Sequence, residues 1–546
     1  MRLVLIFALR ISIAVLTRTF FQPDEFFQCL EPAHRLAFGY GHLTWEWLSA
    51  KPIRTIAYPA PWALLYKSLQ WARLDETSAL IIIPKIFAGF LAAFTDIAIY
   101  EIACRQLGKK YGNVALFLSL SSFFHSLALT RSLATSMETI LTTVALSFWP
   151  FSDVPFTSLV KRRVGIALSI AAFSCILRPT SAIIWSFLFI DLFIFRKAGS
   201  WLIASAIPIG CVALAIGSGF DRFGFSSQYS PSILNFLGIN SSSVASFYGR
   251  MPWHYYLVQA LPILCNTALP FALHGAISAL RGNNMAMKRM AMLVIWTTFI
   301  YSLIGHKEWR FLHPILPLLH ILGAKALVDA SQNLPNNWIH PSLPIRRGHA
   351  IFLLSTIPLS IYVILFHGRA QIEVMEHIRG IPSSELRSVG FLMPCHSTPW
   401  QSHLHRPELD LGSLWALGCE PPLPPISDFK WYQDQTDVFF ESPIDYLITR
   451  FPRNVNASFP PSLRPSSLPG KPLRNADWSH EWPSHLVFFG ALLDNPGVRD
   501  LFIRLGYRGV WSSTAWWEED LRRRKGVRVW QYTPSLEWTR DRSGDN

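Results

Sequence analysis

Residues 79–102 read ALIIIPKIFAGFLAAFTDIAIYEI, a predominantly apolar run of twenty-four residues. About twenty apolar residues in a helix cross the hydrocarbon core of a bilayer, so this stretch is a membrane span. Further apolar segments flank it in the sequence, near 3–18, 112–129, 133–152, 164–178, 180–195, 199–217, 256–279, 290–305, 312–329 and 349–367. Together they predict an all-α polytopic membrane protein of about eleven crossings. Pro84, Pro208, Pro262 and Pro317 fall inside these segments and predict kinked helices, which a membrane bundle tolerates. The composition agrees. Of 546 residues, 51% are apolar and only 15% charged, against about a quarter charged in a soluble domain. The N-terminal RLVLIFALRISIAVLTRTFF carries an internal Arg10 and no small-residue cleavage site, and reads as a retained first span.

The formal charge of +14 does not describe a nucleic-acid stripe, because the basic residues come as short clusters between spans. Five such clusters are Arg105/Lys109/Lys110, Lys161/Arg162/Arg163, Arg196/Lys197, Arg281/Lys288/Arg289 and Arg346/Arg347. With the spans given above, all five fall on one side, which the positive-inside rule makes the cytosol. The N-terminus is then cytosolic. The opposite, luminal side receives loop 19–78, Arg178, loop 218–255, the segment 306–311 and everything after 368. Both N-glycosylation sequons, at Asn240 (NSS) and Asn456 (NAS), lie on that side. The chain is therefore expected to divide into a transmembrane domain, 1–368, and a luminal soluble domain of α/β type, 369–546. The latter has no long apolar run and includes the loop-like PPSLRPSSLPGKP. Seven cysteines show no CxxC and no Cys/His spacing suited to zinc. Cys395 and Cys419 share the oxidising side, where a disulfide and two free thiols are equally compatible with the sequence.

The stretch FFQPDEFFQCLEPAHRLAFGYGHLTWEW, residues 20–47, follows the first span and brings Asp24 and Glu25 directly after Pro23. Pro23 disfavours helix at Gln22 and starts a new one, which puts both acids in a first turn. Residues 24–38 read as a helix with Phe27, Leu30, His34 and Phe38 near one face, lying along the membrane interface. Acids in a first turn favour the helix dipole without any chemistry, so the assignment needs support from elsewhere in the chain. Other ionisable groups gather at the same membrane face: Glu31, Arg131, Glu138, Arg178, His254 and His313. The densest group is GHKEWRFLHPILPLLH, residues 305–320, where His306, Lys307 and Arg310 surround Glu308. Three cations about one acid at headgroup depth suit an anionic group such as phosphate. Trp45, Trp47, Tyr248 and Trp253 suit sugar stacking and membrane-belt packing alike. His396, His403 and His405 have no metal-ligand spacing, and no metal is expected.

The segment from His306 to Leu312, with the Pro314/Pro317 run behind it, resembles the HKEERF-type signature of the endoplasmic-reticulum mannosyltransferases of glycosyltransferase family 22. Trp309 stands where many relatives have glutamate. The QPDEFFQ, EPAH and FGYGHLTWEW pieces, with LMPCHSTPWQSHLH (392–405), CEPPL (419–423) and WPSHLVFF (482–489), are similar to the branch that builds the glycosylphosphatidylinositol (GPI) anchor. That similarity runs from about residue 18 to about residue 490. The resemblance implies a GT-C fold and dolichyl phosphate mannose as donor. It also implies the GPI precursor glycolipid as acceptor, with a third mannose added in α-1,2 linkage inside the endoplasmic reticulum. The anomeric centre inverts, which calls for a carboxylate base and for cations on the departing phosphate. The base falls on Asp24 or Glu25. His306, Lys307, Arg310 and Arg178 are the phosphate-side candidates, and Glu308, His34, Trp45 and His254 support them or face the acceptor. A sister enzyme acting on dolichol-linked oligosaccharide or at another GPI position is the nearest rival. A non-catalytic lipid carrier is the rival from another class.

Overall fold

A computed structural model describes residues 2–49, 51–224, 231–240, 244–247, 249–332, 337–422, 432–462, 478–514 and 517–533. Two compact units are present. The first comprises 1–17, 51–61 and 82–364, and the second 18–50, 62–81 and 365–546. The first loop is thus divided, its acid-bearing part lying in the same unit as the C-terminal region. Tyr248 falls outside the described residues.

Each of the eleven apolar segments is mainly helical. Among the described residues, five helices are long and apolar enough to cross a membrane: Ala79–Leu107, Ser200–Gly224, Tyr256–Arg281, Trp309–Ser331 and Arg347–Gly380. Others are shorter or broken. The segment expected at 112–129 is helix Lys109–Leu120 followed by a separate π turn, His125–Leu129. Pro84 and Pro208 lie inside helices as expected. Pro262 and Pro317 lie within the continuous helical segments Tyr256–Arg281 and Trp309–Ser331, at the points where a π turn and a 3₁₀ turn pass into α-helix.

In the first unit one end collects the basic clusters. Arg105 and Arg163 both donate to the Ser147 carbonyl at the end of helix Ala134–Phe148. Arg196 donates to the carbonyls of Pro150 and Ser152, and Arg289 bridges Asp153 at 2.6 Å and Asp191 at 3.1 Å. Lys110 lies over the Trp338 ring, and Arg346 donates to the Ala330 carbonyl, both beside the hairpin β1 (Trp338–His340) and β2 (Leu343–Arg346). Cations at carbonyl-rich helix ends are favourable. The clusters that the topology assigned to one side therefore also close the helix termini there. Glu138 sits in the second turn of helix Ala134–Phe148, and Arg178 caps the far end of Ser158–Leu177, both at the opposite end from these clusters.

Deep between the helices of this unit lies an ion pair. Arg10 donates to Asp96 through Nε at 2.7 Å and Nη2 at 2.8 Å, and both side chains are fully buried. Gly89, two turns before Asp96, permits the contact. A Cβ there would lie 2.8 Å from the Ile11 backbone, so only glycine lets the first helix come this close. Ser119 donates to Asp96 at 2.6 Å and lies 2.9 Å from His125 Nδ1, whose ring meets those of His313 and His320.

The second unit carries a five-stranded sheet of order β4-β3-β5-β7-β6. Its strands are β3 (Val389–Leu392), β4 (Leu414–Ala416), β5 (His485–Phe489), β6 (Tyr507–Ser513) and β7 (Val527–Tyr532). The β3 pairings with β4 and β5 are parallel; those of β7 with β5 and β6 are antiparallel. Strands β3 and β5 are buried along their whole length, which suits their apolar sequences, VGFL and, after His485, LVFF. Helices Gln435–Glu441, Pro443–Arg450 and Val498–Arg504 supply Phe439, Tyr446, Leu447 and Phe502 to a core shared with Trp482 and Phe488.

Candidate active site

Asp24 and Glu25 form the first helical turn after Pro23, whose carbonyl accepts from the Phe26 and Phe27 amides. A π turn, Phe26–Leu30, follows, and then helix Glu31–Phe38. Pro32 explains the wide turn. It has no N–H to offer the Gln28 carbonyl, and the Glu31 amide bonds instead to Phe26, five residues back. Gly39, at φ +86°, closes the helix in the left-handed region. The segment does not lie along an interface with one face free. Phe26 to His34 are buried throughout.

What buries much of this helix is the segment 395–405 of the same unit. The Glu31 carboxylate accepts from the Trp400 amide at 2.8 Å and the Ser402 amide at 3.1 Å. His34 Nε2 lies 2.8 Å from His405 Nδ1, while His34 Nδ1 faces the Tyr40 carbonyl at 3.3 Å. His405 Nδ1 also lies 3.0 Å from the Tyr40 hydroxyl, and its Nε2 faces the Asp75 carboxylate at 3.5 Å. Burial, and then the neighbouring His405, lower the His34 pKa to about 3, which keeps it neutral. Burial pushes the Glu31 carboxyl up to about 7 against the opposing pull of its hydrogen bonds to Ser402 and Trp400. His403 packs edge-on against Phe26 at 5.4 Å and His396 against Phe27 at 4.3 Å. The three histidines of this segment thus go to three different places. Cys395 and Cys419 are joined in a disulfide, with Cα atoms 5.9 Å apart. Trp45 is buried, and Trp47 donates to the Phe27 carbonyl at 3.0 Å, so both support the helix.

The second candidate group lies in the first unit. Glu308 receives Arg310 in a two-pronged contact, Nε at 2.6 Å and Nη2 at 2.9 Å, and His306 Nε2 lies 3.3 Å away. Against the burial that would raise it, Arg310 and His306 hold the Glu308 carboxyl well below the usual range. The hydrogen bond to Glu308 raises the His306 pKa in turn. Lys307 donates to the carbonyls of Met251 and Ile304, which fastens the 249–254 loop to this one. Trp309 packs edge-on against Phe124 at 5.2 Å. Arg178 lies 2.9 Å from Glu138, with its guanidinium 5.2 Å from the Phe311 ring centre, so it reaches the same loop. His254 is exposed beside Trp253 at the start of helix Tyr256–Arg281. Both sequon asparagines are exposed. Asn456 accepts from Ser458 in a tight turn, while Ser242 of the other sequon is outside the described residues.

The model of the Alg9-like mannosyltransferase family matches residues 1–405. The chain belongs to this family. Curated relatives include "GPI mannosyltransferase 3" of Yarrowia lipolytica, 37% identical over 97% of this chain and 96% of that protein. "GPI alpha-1,2-mannosyltransferase 3" of Mus musculus is 34% identical over 84% of this chain and 79% of its own. Among solved structures, ArnT from Cupriavidus metallidurans bound to undecaprenyl phosphate superposes with a TM-score of 0.57 at 11% identity, covering 98% of this chain and 97% of that one. That likeness gives the fold, which is the GT-C fold of membrane glycosyltransferases.

As a membrane-embedded mannosyltransferase the chain needs a carboxylate to take a proton and cations to receive a departing anion. Asp24, Glu25 and Glu31 lie in the second unit with His34, His396 and His405, while Glu138, Glu308, Arg178, Arg310 and His306 lie in the first. Sequence reasoning passed over Asp96, His125 and His320. The signal was present in Asp96, an acid in the middle of the longest apolar run, opposite an arginine in another span.

The mannosyltransferase's second unit should be acid-labile in a defined window. Burial lowers the pKa of His34 and His480 to about 3, and of His396 and His485 to about 4. Each is neutral when folded and binds a proton below about 6.5 when unfolded, so each contributes stability that is lost as pH falls from there. Glu31 and Glu420 oppose this, since burial raises both to about 7 and their proton uptake favours the folded form down to the ordinary carboxyl range. Below about pH 4.5 the carboxyls no longer compensate, and stability should fall by roughly 1 kcal/mol per pH unit for each neutral imidazole. Tryptophan fluorescence during acid and denaturant titration reads this directly. An unfolding free energy that stays level between pH 4.5 and 3.5 would contradict it.

Proposed function

We propose that the chain transfers mannose, in α-1,2 linkage, from dolichyl phosphate mannose to the GPI precursor glycolipid, adding its third mannose. The reaction runs on the luminal face of the endoplasmic-reticulum membrane, with the N-terminus cytosolic and residues 369–546 luminal. The observation that carries this reading is the near end-to-end match to proteins named for that step, together with the Asp24–Glu25 pair that follows the first span. The gathering of five basic clusters at one end of the first unit supports the orientation.

Transfer proceeds by one inverting displacement. The acceptor hydroxyl oxygen bonds to the anomeric carbon as the bond from that carbon to the phosphate oxygen breaks. The electron pair of the broken bond leaves on dolichyl phosphate, and the hydroxyl proton passes to Asp24, with Glu25 as the neighbouring acid that orients the acceptor. Arg310, His306, Lys307 and Arg178 stabilise the phosphate as its charge grows. Glu308 keeps Arg310 and His306 in place. His34 and Trp45 hold the acid-bearing helix, and His254 serves the acceptor side. A monophosphate leaving group met by these cations needs no resident metal in this scheme.

The test is complementation of cells that lack the third GPI mannose, with lipid intermediates as the readout. The expected result is disappearance of the two-mannose intermediate. A well-expressed, membrane-inserted wild-type protein that leaves that intermediate in place would refute the assignment and favour another lipid-linked mannose acceptor.

A further inference from the structure

Two segments of the second unit leave the bilayer side by side. The first span is helix Arg2–Leu16, and just beyond it the Phe20 amide donates to the Gly368 carbonyl at 3.0 Å. Gly368 follows directly on the apolar segment 349–367. It stands at φ +75°, where a Cβ would collide with the Phe20 carbonyl, so a glycine is what lets the two exits touch. Residues 366–368 thus mark the membrane boundary by two spans at once. Strand β6 runs toward that level along helix Ala370–Gly380. Trp511 stacks on His377 at 5.1 Å, Ser513 donates to Glu373 at 2.5 Å, and beyond the strand Trp517 lies 6.0 Å from His367. Trp517 is 63% exposed and Leu521 66%, and four basic residues, Arg522 to Lys525, follow at once. A lone exposed apolar side chain needs no explanation. A tryptophan and a leucine on one short segment beside the end of a span, with long cationic side chains behind them, have the composition of the membrane interface.

We propose that residues 517–525 are a membrane anchor: Trp517 and Leu521 enter the headgroup region of the bilayer that this chain spans and hold the second unit against it. The occupant of the patch is that lipid surface, because the chain's own span ends one aromatic contact away. Insertion to about 5–10 Å suits two such side chains, with their backbone left outside the hydrocarbon. Arg522 to Lys525 keep their charged ends among the headgroups while their stems lie along the apolar boundary. Glu518, Glu519 and Asp520 stand beside them, and Asp520 pairs with Arg522 at 3.4 Å and with Arg523 at 3.6 Å. With three acids among four bases the segment is almost neutral, so zwitterionic lipid is enough. The anchor requires 349–367 to be a span and is independent of the sugar transferred.

The experiment attaches a fluorophore to the full-length protein at Glu519→Cys, an exposed position between the two anchoring side chains that leaves both in place. A second preparation carries it at Arg453→Cys, exposed near the Asn456 sequon, where a glycan requires water. Protein without either change gives the background from the five free cysteines. In phosphatidylcholine vesicles, quenching is read with iodide on both sides of the membrane and, separately, with spin-labelled lipid in the bilayer. The fluorophore at 519 is expected to be quenched by the lipid-borne label and to be several-fold less open to iodide than the one at 453. Adding Trp517→Ser/Leu521→Ser should raise iodide quenching at 519 toward the value at 453, because both apolar contacts with the bilayer are gone. Equal access of iodide to 519 and 453 in the unaltered segment would overturn the proposal. So would shielding of 519 from both quenchers, which would mean that protein covers the segment, whether this chain or a second copy. Shielding from iodide that survives Trp517→Ser/Leu521→Ser would overturn the assignment of the anchor to these two side chains.

Discussion

Replacing Asp24 with asparagine is expected to lower kcat for mannosyl transfer by about 10²–10⁴, the usual range for loss of a positioned general base. Asparagine keeps the shape and the helix-starting role of the residue and removes the ability to accept a proton. Glu25→Gln is the informative partner. Only one of the two neighbouring acids can receive the proton of a given hydroxyl. The base variant should therefore lose kcat with KM nearly constant, and the orienting variant should change the acceptor KM more. Both variants retain Pro23 and the π turn, so protein yield should match wild type. Near-normal turnover in both single variants would exclude the first-turn acids and redirect attention to Glu138 or Glu308.

Asp96→Ala is expected to destabilise the membrane-spanning unit by about 3–5 kcal/mol, the range seen when one partner of a buried ion pair is removed. Arg10 would keep its charge in a fully buried site, with Nη2 left to the Ser119 carbonyl. Arg10→Met/Asp96→Leu should recover most of the loss, since two apolar side chains of similar volume replace two charges that each needed the other. Thermal unfolding in detergent gives the comparison, with the double variant deciding the cause. Additive losses in the double variant would show that packing, and not charge pairing, sets the cost.

Much of the fold was legible because membrane spans are read from length and composition alone. The helix from Asp24 to Phe38 was legible too, through Pro23 at its start. What hid was the interior of that helix and its neighbours. The π turn depends on Pro32 withholding one N–H, a local effect that apolar periodicity does not register. The clamp by residues 395–405 joins backbone amides to Glu31 across 369 positions, and nothing in either segment names the other. The Arg10–Asp96 pair was hidden for a different reason. Each residue alone resembles a tolerable exception in an apolar run, and only Gly89 brings them together. At His306 to Arg310 the reverse held, since four ionisable side chains within five residues announce an ionic cluster whatever the surrounding fold.

The hydrogen bonds from Trp400 and Ser402 to Glu31 also set a schedule. A ribosome adding about 5–20 residues per second takes roughly 20–70 s to travel from Glu31 to Trp400. During that interval the acid-bearing helix has been synthesised without the amides of Trp400 and Ser402 that hold it. A nascent or truncated chain lacking residues beyond about 400 would carry every acid and cation of the proposed chemistry and still lack the brace that fixes the acids. On the proposed chemistry, the acids therefore gain their brace only when about three quarters of the chain has been made.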